Sequence, residues 1–226
     1  MKKQIAVIGL GRFGISIAST LYAMGHDVLA VDRSESKIQS IASEVTHAVQ
    51  ADATNEAILK ELGLSNFEVA IVAIGTDIKS SVLSTILLKR LGIPHVIARA
   101  NDNLHGSILG KIGADVVTYP EREMGTRIAQ VVTLAEVSDY MSVVPGYGVA
   151  KLAAPPYLVG EKLSDLGFGY KGKWEVAVFL IQRGDEVIVN PTQGQKIEAG
   201  DILVLAGSND KLEKLLDEAR KNKKEE

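Results

Sequence analysis

The sequence predicts an α/β fold: a doubly wound parallel sheet with helices on both faces, followed by a smaller α+β domain. Three features of the 226-residue chain favour this fold. Short apolar strands alternate with helical segments over the first part, several of these helical segments close at a glycine, and the alternation stops after Tyr119-Pro120. Because parallel strands are joined by right-handed helical crossovers, this alternation indicates a parallel sheet.

Six strands and five helices are predicted in the first part. Apolar and β-branched residues define the strands, and apolar residues at helical spacing define the helices. Gly25, Gly63, Gly92 and Gly113 stand where helix C-caps are expected, because glycine adopts the left-handed conformation there without strain. The predicted strands span 4–9, 27–32, 47–50, 69–73, 95–99 and 116–118, and the predicted helices span 12–24, 35–42, 55–62, 78–91 and 104–112.

The second part has a different pattern. Apolar spacing predicts one long helix over 122–140 that leaves the first domain, and the turn at 144–148 then begins a small α+β unit. Arg183-Gly184-Asp185 predicts a hairpin. The predicted domains are therefore 1–140 and 141–226. The remaining predicted strands span 149–152, 175–182, 186–189 and 201–206, and the remaining predicted helices span 163–166 and 209–221.

Composition excludes several classes of function. The formal net charge is only −3, so a nucleic-acid partner is not expected. The absence of cysteine excludes disulfides, thiolate catalysis and cysteine-rich zinc sites. No apolar run approaches the ~20 residues that cross a bilayer, so direct membrane insertion is not expected. We therefore expect a soluble, cytoplasmic protein that acts at a membrane only by docking to a partner.

A glycine-rich motif, Gly9-Leu10-Gly11-Arg12-Phe13-Gly14, lies between the first predicted strand and the first predicted helix. This context is typical of a Rossmann-like dinucleotide-binding domain. Gly9 permits the tight turn, Gly11 lets a phosphate approach the backbone, and Gly14 lets the helix pack against the strand. The N–H groups of the first helical turn then face the phosphate.

Three charged residues belong to this candidate nucleotide site. Asp32 ends the second strand, where it is placed to accept hydrogen bonds from ribose hydroxyls, and this disfavours a 2′-phosphate. Arg33 weakens that discrimination, or lies over the adenine face instead. Arg12 lies inside the phosphate loop, where a second cation favours a nucleotide with several phosphates. A solvated arginine at the helix start is the alternative.

Further candidates follow other strands at their carboxyl ends, where ligands bind in such sheets. Asp52-Ala53-Thr54 follows the third strand and is expected to cap the next helix while contacting adenosine. Ala73-Ile74-Gly75 follows the fourth strand, and its small residues leave room for the base and the ribose. Arg99 ends the fifth strand and can pair with a phosphate or an acid. Each also has an alternative interpretation as a cap, packing or surface residue.

No catalytic residue is predicted. A dehydrogenase needs a proton-transfer group near the nicotinamide, and His105 is the one histidine placed to reach the cleft. It heads a predicted helix, where a capping or surface role is expected. These features favour a nucleotide sensor, with a small NAD-dependent oxidoreductase as the alternative.

The chain resembles the Ktr/Trk regulatory subunits, which are RCK (regulator of potassium conductance) proteins. The resemblance is specific over residues 1 to about 135 and looser over the second domain, which is similar mainly in size and strand pattern. The matching segments are 6–14, 24–32, 51–54, 66–68, 72–75, 111–115 and 120–125.

This resemblance implies a cytosolic regulatory subunit, peripheral to the inner face of the cell membrane, that gates a bacterial potassium-uptake channel. Such subunits form homodimers that assemble into a ring, commonly an octamer, docked under a membrane channel subunit. Their cleft holds ATP or ADP, or else NAD or NADH. The resemblance also implies that Arg12 reaches a terminal phosphate across the dimer interface, and that Glu121 helps to hold Mg²⁺ or another divalent cation there. ADP lacks the γ-phosphate and would lose these contacts.

The second domain carries fewer functional signals. Some relatives bind cyclic di-AMP between paired C-terminal domains, but residues 166–175, with Lys171, Lys173 and Trp174, depart from them, so no such site is assigned. Trp174 is expected to pack in a core or at a dimer interface. A soluble regulator unconnected with potassium is a third functional alternative.

Overall fold

The computed structural model describes residues 2–133, 137–169 and 172–222, so Lys171 lies outside the described residues. The chain divides into two compact units, Met1–Glu123 and Met124–Glu226. Unit 1 contains a doubly wound parallel sheet, and unit 2 contains a smaller antiparallel sheet with a helix. The predicted fold class is therefore confirmed. No described helix is both long and apolar enough to span a bilayer.

The sheet of unit 1 has the strand order β3-β2-β1-β4-β5-β6, and all neighbouring strands are parallel. Its predicted strands and helices are all present, with ends shifted by at most one residue. The strands are β1 (Gln4–Ile8), β2 (Asp27–Asp32), β3 (His47–Gln50), β4 (Val69–Val72), β5 (His95–Arg99) and β6 (Val116–Thr118). The helices are α1 (Arg12–Ala23), α2 (Glu35–Ile41), α3 (Glu56–Glu61), α4 (Ile78–Arg90) and α5 (Asn103–Lys111), with a 3-10 turn at Leu64–Asn66.

Burial on both faces of the sheet explains why these strands are apolar throughout. On β1, Ile5 and Val7 pack into a layer with α1 and α2, whereas Ala6 and Ile8 pack into a second layer with α3, α4 and α5. Successive side chains of a strand point to opposite faces, so a central parallel strand needs apolar residues at every position. The strand order reverses between β1 and β4, which opens a crevice at their carboxyl ends.

Unit 2 has five antiparallel strands in the order β10-β9-β11-β8-β7. The predicted hairpin is confirmed, because Arg183 pairs with Glu186 across Gly184-Asp185. Trp174 is buried in the core of this unit, as expected, and its Nε1 donates a hydrogen bond to the Leu166 carbonyl at 2.9 Å. Its elements are β7 (Val137–Val144), β8 (Tyr147–Ala153), β9 (Ala177–Arg183), β10 (Glu186–Val189), β11 (Ile202–Ser208) and α7 (Asn209–Asn222), with a 3-10 turn at Pro156–Leu158.

The long helix predicted over 122–140 is wrong at its end. The helix α6 (Pro120–Thr133) stops earlier, and 137–140 belong to β7, whereas 134–136 lie outside the described residues. Tyr140 is buried in the core of unit 2, and its hydroxyl donates to Asn209 Oδ1 at 2.6 Å. Burial of Tyr140 in this core therefore favours a strand over a continued helix at 137–140. The predicted boundary between residues 140 and 141 falls inside β7.

The short helix predicted over 163–166 is also wrong. These residues form a turn that ends at Gly167, whose φ is +75°. The N–H of Leu163 donates to the Gln195 carbonyl at 3.0 Å, and the N–H of Ser164 donates to the Gln193 carbonyl at 2.9 Å. The N–H groups of Asp165 and Leu166 donate to the Lys162 carbonyl, and the left-handed Gly167 follows directly, so the segment makes a single turn.

Candidate functional site

A cleft opens at the carboxyl ends of β1 to β4, at the point where the strand order reverses. Seven of the predicted site residues line it: Gly9, Asp32, Arg33, Asp52, Ala53, Thr54 and Ile74. The others lie in the glycine loop and α1 (Gly11, Arg12, Phe13, Gly14), after β4 (Ala73, Gly75), at the end of β5 (Arg99) and on α6 (Glu121).

Three residues at the start of α4 line the cleft but were not predicted from the sequence: Asp77, Ser80 and Ser84. Asp77 is the N-cap of α4, and its side chain accepts hydrogen bonds from the N–H and the hydroxyl of Ser80, at 3.0 and 2.5 Å. An aspartate directly before a predicted helix is a recognisable N-cap signal. That signal could have found Asp77, but not its place beside the end of β2.

In the loop between β1 and α1, an added Cβ would meet different surroundings at each of the three glycines. Gly9 has a φ of +94°, and a Cβ there would lie 2.8 Å from Ile74 Cγ1. A Cβ on Gly14 would collide with the Gly9 carbonyl oxygen and lie 3.2 Å from the Ala73 Cβ. A Cβ on Gly11, in contrast, would have no atom within 4 Å. The space beside Gly11 is therefore open to a ligand.

The first turn of α1 is an electropositive site. Gly11 is the N-cap, so no side chain accepts a hydrogen bond there, and the first turn contains no acidic residue. Arg12 is exposed and has no hydrogen-bond or ion-pair partner among the described residues. Free N–H groups, the helix dipole and an unpaired cation together favour an anionic ligand.

The Asp32 carboxylate connects β2 to the glycine loop. It accepts hydrogen bonds from the N–H of Leu10 at 2.7 Å and from the N–H of Ser34 at 2.8 Å, and Lys37 Nζ lies 3.1 Å away. Burial raises the pKa of Asp32, but the two N–H groups and Lys37 outweigh burial and lower the pKa below its ordinary value. Asp32 is therefore ionised at neutral pH, as an acceptor-only group in the cleft.

Replacing Asp32 with alanine should lower the free energy of unfolding by about 2 kcal/mol, because the N–H of the buried Leu10 loses its acceptor. Urea unfolding followed by circular dichroism measures this loss. The matched control is Asp27→Ala at the other end of β2, where the carboxylate pairs with exposed Lys2 at 2.8 Å. That change should cost less than about 0.5 kcal/mol. Equal losses in both variants would contradict this role for Asp32.

Arg33 forms ion pairs across the mouth of the cleft. Its Nη2 lies 2.7 Å from Asp52 Oδ1 and 3.1 Å from the Thr54 hydroxyl. Its Nη1 lies 3.9 Å from Asp77 Oδ2. The guanidinium thus connects the residues that follow β3 with the N-cap of α4.

The segment Asp52-Ala53-Thr54, a candidate cap for α3, does not supply its N-cap. Asn55 is the N-cap, and its side chain accepts from the N–H of Ala57 at 3.0 Å. The Asp52 carboxylate instead accepts from the hydroxyl and the N–H of Thr54, at 2.6 and 2.8 Å. The Thr54 hydroxyl, together with the Arg33 guanidinium, lowers the pKa of Asp52 to about 2. Asp52 therefore carries a full negative charge at neutral pH.

Arg99 lies near the start of α1, with its guanidinium carbon 5.9 Å from the centroid of the Phe13 ring. Its Nη2 is 2.5 Å from Glu121 Oε1. A Cβ on Gly75 would lie 2.5 Å from Arg99 Nη1, so the glycine leaves room for the guanidinium. The Arg99 Nε is buried and has no acceptor among the described residues. A buried donor without an acceptor is costly.

Comparison with known proteins gives the family. The TrkA-N domain family matches residues 5–120, which include every residue that lines the cleft, and the TrkA-C domain family matches 149–220. The chain belongs to the Ktr/Trk family. It is 42% identical to Ktr system potassium uptake protein C of Bacillus subtilis (strain 168), over 92% of this chain and 93% of that protein. It is also 42% identical to Ktr system potassium uptake protein A of the same organism, over 91% of each.

Solved structures share the fold of this Ktr/Trk chain. The GsuK channel bound to NAD has a TM-score of 0.62 at 15% identity, over 94% of this chain and 38% of that one. GsuK bound to ADP has a TM-score of 0.51 at 18% identity, over 60% of this chain and 36% of that one. The chain spans less than half the length of these channel chains, and at such identities the likeness shows the fold alone.

Glu121 lies on α6, one residue beyond the TrkA-N match. Its side chain is 67% exposed and pairs with Arg99. The described part of the chain holds no group of three or more His, Cys, Asp or Glu side chains placed to bind a metal ion. A cation at Glu121 would therefore need further oxygen ligands from outside this set.

His105 is a buried residue of the TrkA-N domain, so the expected capping or surface role is wrong. Its side chain is 1% exposed, and its Nε2 lies 3.2 Å from Ser81 Oγ on α4. Asp102 is the N-cap of α5 and accepts from the His105 N–H at 2.8 Å. Burial lowers the pKa of His105, although the Asp102 charge opposes this shift. The ring is therefore a neutral packing group against α4.

Proposed function

We propose that this chain is a cytosolic regulatory subunit that binds an adenine nucleotide in its TrkA-N cleft and thereby gates a membrane potassium-uptake channel. The observation that carries the proposal is the anion site at α1, where Gly11 leaves open space and Arg12 has no partner among the described residues. Two relatives are named potassium uptake proteins, and GsuK, which shares this fold, has one solved structure bound to NAD and another bound to ADP.

The residues of the cleft fit an adenosine 5′-phosphate. Asp32 offers a carboxylate to the ribose hydroxyls, and Ile74 offers an apolar surface to the base. The phosphates would lie at Gly11, against the free N–H groups of α1. ATP, ADP, NAD and NADH all contain an adenosine 5′-phosphate, so these residues fit all four.

Arg12 and Glu121 would make the subunit sensitive to the number of phosphates. Arg12 is exposed, so it is free to reach a terminal phosphate bound by a second copy of the chain. ATP offers a γ-phosphate to this cation, and ADP does not. A ligand shifts a conformational equilibrium only by its difference in affinity for the two states, and the γ-phosphate contacts supply such a difference.

A divalent cation fits this scheme on chemical grounds. Mg²⁺ is commonly held by one or two carboxylates together with phosphate oxygens, and Glu121 is an exposed carboxylate. Such an ion, when bound, neutralises phosphate charge. Glu121 would exchange its contact with Arg99 for the ion, and Arg99 would then be free to pair with a phosphate.

The exposed apolar stripe of α6 supports self-assembly. Met124, Ile128 and Val132 recur every four residues on this helix, and all three are exposed in the single chain. Such a stripe favours burial against a partner helix. We propose that homodimers form and assemble into a ring, octameric as in the family. Light scattering should give a particle several times the 24.2 kDa of one chain, and a monomer would contradict the assembly.

Arg12→Ala should weaken ATP binding more than ADP binding, with the affinity ratio changing by about tenfold, which corresponds to about 1.4 kcal/mol. The reason is that only ATP presents a γ-phosphate to the guanidinium. Calorimetric titration of the assembled protein with each nucleotide, with and without Mg²⁺, measures the ratio. The control is Arg90→Ala, an exposed arginine at the far end of α4. Parallel losses for ATP and ADP would count against the γ-phosphate contact.

A further inference from the structure

We propose that Asp52 and Asp77, by occupying the Arg33 guanidinium, keep the cleft selective for adenine nucleotides whose ribose 2′-hydroxyl is not phosphorylated. The inference rests on the proposed function and specifies the ligand class of the same cleft. The sequence alone leaves this point open, because Asp32 disfavours a 2′-phosphate whereas an arginine directly after it attracts one.

Each terminal nitrogen of the Arg33 guanidinium lies near a carboxylate. Asp52 Oδ1 lies 2.7 Å from Nη2, and Asp77 Oδ2 lies 3.9 Å from Nη1. Thr54 adds an acceptor at 3.1 Å from Nη2, and Gln50 Nε2 donates to the Arg33 carbonyl at 3.0 Å. Arg33 therefore has polar contacts at both its backbone and its guanidinium, and a phosphate would have to compete with two acids for it.

The charges that line the cleft also disfavour a 2′-phosphate. Of the ionisable residues that line it, three are carboxylates (Asp32, Asp52 and Asp77) and Arg33 is the cation. Hydrogen bonds from Ser80 lower the pKa of Asp77, so it is ionised at neutral pH like the other two. Two neighbouring lysines also favour the ionised form of these acids. Lys37 Nζ lies 3.1 Å from Asp32 Oδ2, and the charge of Lys79 helps to lower the pKa of Asp77. A 2′-phosphate would thus bring further negative charge toward an acidic wall.

The expected selectivity is moderate. The side chains of Arg33, Asp52 and Asp77 are each about half exposed, so solvent screens both ion pairs. We expect the wild-type protein to bind the nucleotide with a free 2′-hydroxyl on the order of tenfold more tightly than its 2′-phosphorylated form.

The test compares ADP with adenosine 2′-phosphate 5′-diphosphate, which differ only at the 2′ position. Calorimetry gives the affinity ratio for the wild-type protein, for Asp52→Asn/Asp77→Asn and for Arg33→Ala. The double variant frees Arg33 while keeping side-chain shape, so the preference for ADP should fall by on the order of tenfold or invert. Arg33→Ala should keep or increase that preference. Asp27→Asn, at the opposite end of β2, is the control and should leave the ratio unchanged.

Two results would overturn the inference while leaving the proposed function intact. One is equal wild-type affinity for the two ligands, with Arg33→Ala weakening only the 2′-phosphorylated one, because Arg33 would then recruit that phosphate. The other is a double variant whose ratio equals that of the wild type. If the wild-type protein does not bind ADP at all, the proposed function fails, and this inference fails with it.

Discussion

Gly14→Ala should lower the free energy of unfolding of unit 1 by about 3 kcal/mol, because the new Cβ would collide with the Gly9 carbonyl oxygen and α1 would have to move off β1. A loss of this size lowers the melting temperature by on the order of 10 °C. Thermal unfolding followed by circular dichroism measures it. An unchanged melting temperature would show that the helix does not pack on the strand end as described.

Gly11→Ala is the matched comparison, and its effect should fall on binding instead of folding. Gly11 has a φ of −77°, which alanine adopts freely, and its Cβ would have no atom within 4 Å. Stability should therefore change by less than about 1 kcal/mol. The methyl group would occupy the space where a phosphate approaches the backbone, so nucleotide affinity should fall at least about tenfold. Wild-type affinity in this variant would contradict the phosphate site.

Arg183→Met should destabilise unit 2 by about 4 kcal/mol, because it leaves the Asp201 carboxylate buried without its cation. Asp201 is 0% exposed. It accepts from the Nε and Nη2 of Arg183, both at 2.8 Å, and from the N–H of Glu198 at 2.8 Å. Asp201→Asn should cost only about 2 kcal/mol, since the amide still accepts a hydrogen bond and Arg183 keeps Glu198 as a partner at 2.5 Å. Urea unfolding followed by the fluorescence of Trp174, the sole tryptophan, reports on this core.

The same pair predicts how the stability of unit 2 depends on pH. The hydrogen bonds from Arg183 lower the pKa of Asp201, against the effect of burial. A carboxyl group with a lowered folded-state pKa stabilises the protein above its unfolded pKa of about 3.9, and that contribution is lost as pH falls through the folded value. The wild-type protein should therefore lose stability from about pH 5 downward, and Asp201→Asn should lose less. A steeper loss in Asp201→Asn would contradict the assignment.

The parallel sheet and most of its cleft were predictable because their signals are local. Apolar runs and closing glycines fix β1 to β6, and a known rule places ligands where the strand order reverses. Asp32 could be placed beside the glycine loop from its position at the end of β2. Its hydrogen bond to the Leu10 N–H is the kind of contact that this position implies.

The remaining features depend on contacts between distant segments. The apolar spacing of α6 gives no sign that 137–140 pair with β8, because burial of Tyr140 in the core of unit 2 decides the strand. His105 stands at a helix start, where exposure is the ordinary expectation, yet it packs against Ser81 of a neighbouring helix. Asp77 is recognisable as a cap, but its ion pair with Arg33 arises only when β2 and α4 are brought together.

The central claim is that the TrkA-N cleft binds an adenine nucleotide through the glycine loop. Isothermal titration calorimetry of the full chain with ADP, for the wild-type protein and for Gly11→Ala, tests it most directly. We expect one saturable site per chain in the wild-type protein and a loss of at least about tenfold in affinity in the folded variant. No measurable binding to the wild-type protein, or equal binding to both proteins, would contradict it.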